Sequence, residues 1–98
     1  MARLDTFLRN TGLFRARSEA KRACDAGQVL VGGLPARPSR ELQEGEVVRI
    51  DTRSLLLEAE VLQVPERPVA RARREDCYRV LRRERRTREE VIGFDDEL

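Results

Sequence analysis

Residues 18–35 read Ser18-Glu19-Ala20-Lys21-Arg22-Ala23-Cys24-Asp25-Ala26-Gly27-Gln28-Val29-Leu30-Val31-Gly32-Gly33-Leu34-Pro35. The spacing of apolar positions changes in the middle of that stretch. Ala20, Ala23 and Cys24 fall at i, i+3 and i+4, the mark of a helix, and their small side chains let a second helix approach closely. Ser18 suits the N-cap of that helix, and Gly27 stands where a C′ glycine belongs. Beyond Gln28 the period becomes two, with Val29 and Val31 on one side. Gly32-Gly33 is a strong two-residue hairpin turn, because both positions tolerate positive φ. Leu34-Pro35-Ala36 returns as a short strand, and the proline, which has no N–H to donate, argues for a sheet edge.

Upstream, Leu4, Phe7 and Leu8 again mark i, i+3, i+4, so residues 3–10 are predicted to form a short amphipathic helix. Asn10-Thr11-Gly12 ends it, and Leu13 and Phe14 pack back on the core. Downstream, Pro38-Ser39 is irregular and Glu44-Gly45-Glu46 is a turn before a strand at 47–50. A longer β segment follows at 55–64, with Leu57, Ala59 and Val61 alternating with Glu58 and Glu60. Pro65 and Pro68 bracket a linker. Residues 74–88 are predicted to form a basic helix carrying Cys77, Tyr78 and Leu81 on one side. Val91, Ile92 and Phe94 are a last apolar cluster before a frayed acidic end. The expectation is an α+β protein with two packed helices against a small antiparallel sheet and a C-terminal helical extension. It divides into a domain with its following β segment at 1–64 and a linker with a basic helical tail at 65–98.

The bulk numbers bound the function. A chain of 98 residues that is 40% hydrophobic holds one modest core. Charged residues make up 39%, and of the 20 basic ones only Lys21 is not arginine. The net charge of +2 conceals segregation. Residues 3–22 carry six bases against two acids, residues 71–88 nine arginines against three acids, and residues 89–98 five acids and no base. Such runs suit either a polyanion site or a solvated, ion-paired face. Cys24 and Cys77 lie far apart, there is no histidine, and no metal-ligand spacing exists; each cysteine reads as a small buried hydrophobe. With no clustered carboxylates and no phosphate-cradling glycine loop, nothing assembles a reacting site, so neither an enzyme nor a cofactor is expected. No signal peptide opens the chain and no apolar run approaches a membrane span, so a cytoplasmic protein without a membrane partner is expected.

The start of the second helix is the candidate site. A helix N-terminus concentrates positive partial charge and free N–H groups, and Arg17, Lys21 and Arg22 add full charges around it. Arg15 extends the strip, Arg3 could reach it from the first helix, and Arg37 from the hairpin side. Gln28 could donate to a phosphate or face solvent, Ser18 could simply cap the helix, and Asp5 could orient Arg3 or cap the first helix, since a carboxylate repels phosphate. In the tail, Arg79, Arg82, Arg83 and Arg86 could extend the footprint or pair internally with Glu84, Glu89 and Glu90.

The blocks Arg3-Leu4-Asp5-x-Phe7-Leu8, Arg15-x-Arg17-Ser18-x-Ala20-Lys21, Ala26-Gly27-Gln28-Val29-x-Val31-x-Gly33, Arg37-Pro38-Ser39 and Gly45-Glu46-Val47-Val48-x-Ile50 resemble, in order, the S4 RNA-binding domain, whose fold is the αL motif. The hairpin reads Val31-Gly32-Gly33 where the family commonly has Val-Asn-Gly, and Arg37 replaces a frequent lysine. The resemblance implies RNA binding, with Arg3, Asp5 and Arg17 in the RNA-facing motif. S4 domains often accompany catalytic domains, and here none follows. Arg74-Glu75-Asp76-Cys77-Tyr78-Arg79-Val80-Leu81 resembles the tail of the free-standing RqcP proteins of ribosome quality control. That implies a monomer when free that binds large-subunit rRNA and tRNA on large ribosomal subunits obstructed by peptidyl-tRNA, beside a quality-control protein on the same subunit. Two other readings remain: a small heat-shock-type S4 protein that recycles aborted subunits, and a protein–protein adaptor using Tyr78, Val91, Ile92 and Phe94.

Overall fold

The computed structural model describes residues 2–85. Two short helices lie on one face of an antiparallel sheet. Strand β1 (Ala2–Arg3) leads into α1 (Leu4–Asn10), and α2 (Arg17–Asp25) follows. Then come β2 (Val29–Val31), β3 (Leu34–Pro35), β4 (Glu41–Leu42), β5 (Val47–Asp51) and β6 (Leu55–Val61). A 3-10 helix (Arg71–Asp76) and β7 (Tyr78–Arg85) complete the described chain. The main sheet has the order β3-β2-β5-β6-β7, and β1 pairs with β4 in a separate two-stranded sheet.

The 18–35 stretch folds largely as its residues dictate. Gly27 takes φ +76. Its N–H bonds Cys24 O at 3.0 Å and the Gln28 N–H bonds Ala23 O at 2.9 Å, the paired pattern of a Schellman motif. Gly32 and Gly33 take φ +62 and +86, as a type I′ turn requires. Val31 then pairs with Leu34 and Leu30 with Pro35, and β3 is an edge strand. One difference is local. Ala16 is extended and its carbonyl accepts the Ala20 N–H, so α2 begins at Arg17 and Ser18 sits inside the first turn rather than at the N-cap.

The core joins Leu4, Phe7 and Leu8 of α1 and Ala20, Ala23 and Cys24 of α2 to Val29, Val31, Val48, Ile50, Leu57 and Val61 of the sheet. Leu13 and Phe14 pack against it half-buried. Each of these strand positions falls on the same side of the pleat, consistent with the register Val29–Ile50–Leu57 across β2, β5 and β6. The paired strands β1 and β4 hold the start of α1. Its first two amides donate to the chain around Pro38, Leu4 N to Arg40 O at 2.7 Å and Asp5 N to Pro38 O at 3.0 Å. Tertiary carbonyls thus do what a capping side chain does elsewhere, and no cap residue is needed.

The tail corrects the helical expectation. Residues 71–76 form a 3-10 helix and residues 78–85 a strand on the edge of β6. The open edge of β6 offers unpaired N–H and C=O groups, which a helix could not satisfy. The charges also match. Arg79 lies opposite Glu60, Arg82 opposite Glu58, and Tyr78 opposite Val61. A bulge between Glu58 and Ala59 absorbs Leu81. Val91, Ile92, Phe94, Glu89, Glu90 and Arg86 lie outside the described residues.

Candidate nucleic-acid interface

The geometry centres on one carboxylate. Asp5 is 1% exposed and sits in the first turn of α1. Its Oδ1 accepts the Thr6 amide at 2.7 Å and Arg3 Nε at 3.2 Å. Its Oδ2 accepts Arg3 Nη2 at 3.1 Å and Arg17 Nε at 3.4 Å. The two arginine side chains remain 46% and 60% exposed. A guanidinium has five N–H donors, so Arg3, using two on Asp5, keeps three, and Arg17, using one, keeps four. The buried acid therefore holds two planar forks in place with most of their donors facing outward. This is the orienting role open to Asp5 in the sequence, extended from Arg3 to Arg17.

Arg17 also opens α2. Among the described residues no acceptor takes the amides of Arg17, Ser18 or Glu19. Free N–H groups, the helix dipole and the Arg3–Asp5–Arg17 cluster converge on one small surface that suits a phosphate group. Arg15, just before α2, and Lys21, one turn into it, are exposed, and Arg22 is exposed in its last turn, away from the N-terminus; none has an ion pair among the described residues. Arg37 is likewise exposed and unpaired, in the loop whose Pro38 carbonyl anchors Asp5 N. Its neighbour Arg40 instead forms a two-armed pair with Glu46, at 3.2 and 2.8 Å, which holds the Glu46 carboxyl below its usual range. Gln28 is half-buried and lines, with Phe14, Glu19, Arg22, Ala23 and Ala26, an open depression of about 450 Å³ on the α2 side.

The tail arginines are placed differently. By strand alternation Arg79 and Arg82 lie on the sheet face opposite the core, where Arg79 pairs with Glu60 at 2.6 Å and Arg82 pairs with Glu84. Arg83 lies opposite Leu57, on the other face. The tail charges are thus split between two faces and half of them are neutralised. No group of His, Cys, Asp or Glu among the described residues could hold a metal. Cys24 and Cys77 are buried, and burial pushes the Cys24 thiol up to about 11 and raises that of Cys77. No helix among the described residues is long and apolar enough to cross a membrane.

A helix pair on an antiparallel sheet, the second helix small-faced within and basic without, defines an RNA-binding domain of the S4 class. The chain belongs to the S4 domain family, whose S4 domain pattern matches residues 2–48. Its relatives include RQC P-site tRNA stabilizing factors. That of Helicobacter pylori strain J99 is 35% identical over 63 residues, covering 64% of this chain and 75% of the relative. That of strain 26695 is 32% identical over the same shares. The fold as a whole is similar to Heat Shock Protein 15 of Vibrio cholerae, solved as a trimer, with TM-score 0.75, 18% identity, and coverage of 98% of this chain and 91% of that one.

Proposed function

We propose that the chain is a ribosome-associated RNA-binding factor that binds the large subunit obstructed by peptidyl-tRNA and stabilises the tRNA during ribosome-associated quality control. The observation that carries the reading is the buried Asp5 holding Arg3 and Arg17 outward at the free amides of α2. Structured RNA is recognised chiefly through phosphates, 2′-hydroxyls and shape, because its deep major groove excludes side chains. A rigid, donor-rich cationic surface with no reacting group suits that task and catalyses nothing. The relatives named as P-site tRNA stabilizing factors support the choice of RNA.

The test is co-sedimentation of the purified protein with large ribosomal subunits, empty or retaining peptidyl-tRNA, at stepped salt. Binding should be tighter to the tRNA-retaining subunits and should fall steeply as salt rises. Equal binding to empty subunits would remove the tRNA part of the reading. Binding without salt dependence would remove the phosphate part. Alanine tailing in a deletion strain separates support of tail synthesis from recycling of aborted subunits.

A further inference from the structure

The segment after β6 does not hang free. Val69 donates its amide to Asn10 O at 3.0 Å, and Asn10 Nδ2 donates to Pro65 O at 3.3 Å, so the chain from Pro65 is bound to the end of α1. The 3-10 helix then lays the Arg74 guanidinium against Gly12. Gly12 has φ +78, and a Cβ there would collide with Arg74 Cζ, Nε and Nη1. The positive φ is what requires glycine here, and the guanidinium of an arginine from 62 residues downstream packs into the space a Cβ would take.

Arg74 is half-buried, yet its Nε is inaccessible and has no acceptor among the described residues. The carbonyls that close α1 each accept one backbone N–H already, Phe7 O from Thr11, Leu8 O from Phe14, Arg9 O from Gly12 and Asn10 O from Val69, and none accepts from Arg74. Among the described residues no acid pairs with Arg74 either, whereas Arg49, the other arginine there with an unpaired Nε, has Asp51 at 3.7 Å. The α1 C-terminus favours a cation there by its dipole but supplies only a partial counter-charge. A partly desolvated guanidinium without an anion among the described residues is unfavourable, and the Nη end of its fork, not the enclosed Nε, suits a phosphate. Arg9 and Arg15, exposed and unpaired among the described residues, flank Gly12 in the chain. The Arg3–Asp5–Arg17 cluster lies at the other end of α1, whose seven residues span roughly 10 Å.

We propose that Arg74 is a second phosphate-binding residue of the RNA interface, holding with Arg9 and Arg15 a phosphate at the C-terminal end of α1 while the Asp5 cluster holds another at the N-terminal end. This rests on the RNA-binding reading of the Asp5 cluster. The test compares Arg74→Gln, Arg74→Lys and Arg17→Glu in the full chain, measuring affinity for purified large ribosomal subunits across salt, with thermal melting to verify folding. Arg74→Gln should lower affinity about tenfold and flatten the log–log salt slope by roughly 0.7–0.9, one phosphate contact. Arg74→Lys, which keeps the charge, should keep the slope. A flattened slope with lysine as well as glutamine would reduce Arg74 to a packing role and overturn the proposal. So would an unchanged slope for Arg74→Gln while Arg17→Glu binds weakly, an outcome that leaves the Asp5 reading standing. If Arg17→Glu also binds like the parent, both fall.

Discussion

Replacing Asp5 with asparagine should weaken RNA binding, although it removes a negative charge from the approach of a polyanion. The carboxylate holds Arg3 through two bonds and Arg17 through one. Asparagine offers one neutral oxygen and two N–H groups that repel the guanidinium donors. Both arginines would then be ordered only on binding, at about 0.5–1.5 kcal/mol for each side chain, or about 1–3 kcal/mol together. Against this stands the relief of repulsion between Asp5 and a bound phosphate. At about 7 Å in a water-like dielectric that is roughly 0.6 kcal/mol. The balance is a loss of about 0.5–2 kcal/mol, or about 2- to 30-fold in affinity. Stability should also fall by about 1–2 kcal/mol, since the Thr6 amide loses its charged acceptor and two half-exposed ion pairs disappear. The assay is a salt titration of binding to large ribosomal subunits at a temperature where the variant is folded by circular dichroism. Tighter binding by Asp5→Asn with an unchanged salt slope would refute the reasoning, because Asp5 would then act only as a misplaced charge.

Further expectations follow from the same geometry. Arg17→Glu should weaken RNA binding by about 1–3 kcal/mol, and the parent should show a log–log salt slope of roughly −4 to −7, for six to eight phosphate contacts. Phe7→Ala, at a side chain 1% exposed between α1 and the sheet, should cost about 3–5 kcal/mol in urea unfolding. The Cys24 thiol, raised to about 11 by burial and then by Asp5 and Asp25, leaves about one molecule in a thousand ionised at pH 8. Alkylation should therefore be negligible in the native state and rapid in denaturant, and fast native labelling would contradict the packing of α2. The sign for stability follows: both states are protonated below the thiol's usual value of 9.0, so stability should fall as pH rises from 9 toward 11.

Much of the domain was legible because its signals are local. The Gly27 stop, the Gly32-Gly33 turn and the edge position of Pro35 each follow from backbone freedom within two or three residues. The small inner face of α2 follows from helical spacing alone. Ser18 is the instructive local failure. Its chemistry suits a cap, but Arg17 belongs to the helix and is tied to Asp5 twelve residues earlier, so the helix starts two positions sooner than the capping signal implied. The β1–β4 pair was missed because two residues carry no periodicity. The β7 strand was missed because Cys77, Tyr78 and Leu81 fit one side of a helix, while the partner that makes them a strand is β6, across the chain.

The sequence by itself therefore determined the two helices, the first hairpin, the RNA-binding class and the basic composition of the α2 strip. The helices, the hairpin and the basic strip are written in short-range spacing and residue chemistry, and the RNA-binding class in the resemblance of the ordered sequence blocks to the S4 family. Only the tertiary structure decided what the charges do. It buried Asp5 between Arg3 and Arg17, paired Arg79 and Arg82 with acids on the far face of the sheet, and set Arg74 on Gly12 without a counter-ion among the described residues. The physical reason is that a charge acts through its neighbours over a few ångströms. Those neighbours are brought together by folding from positions that spacing along the chain does not connect.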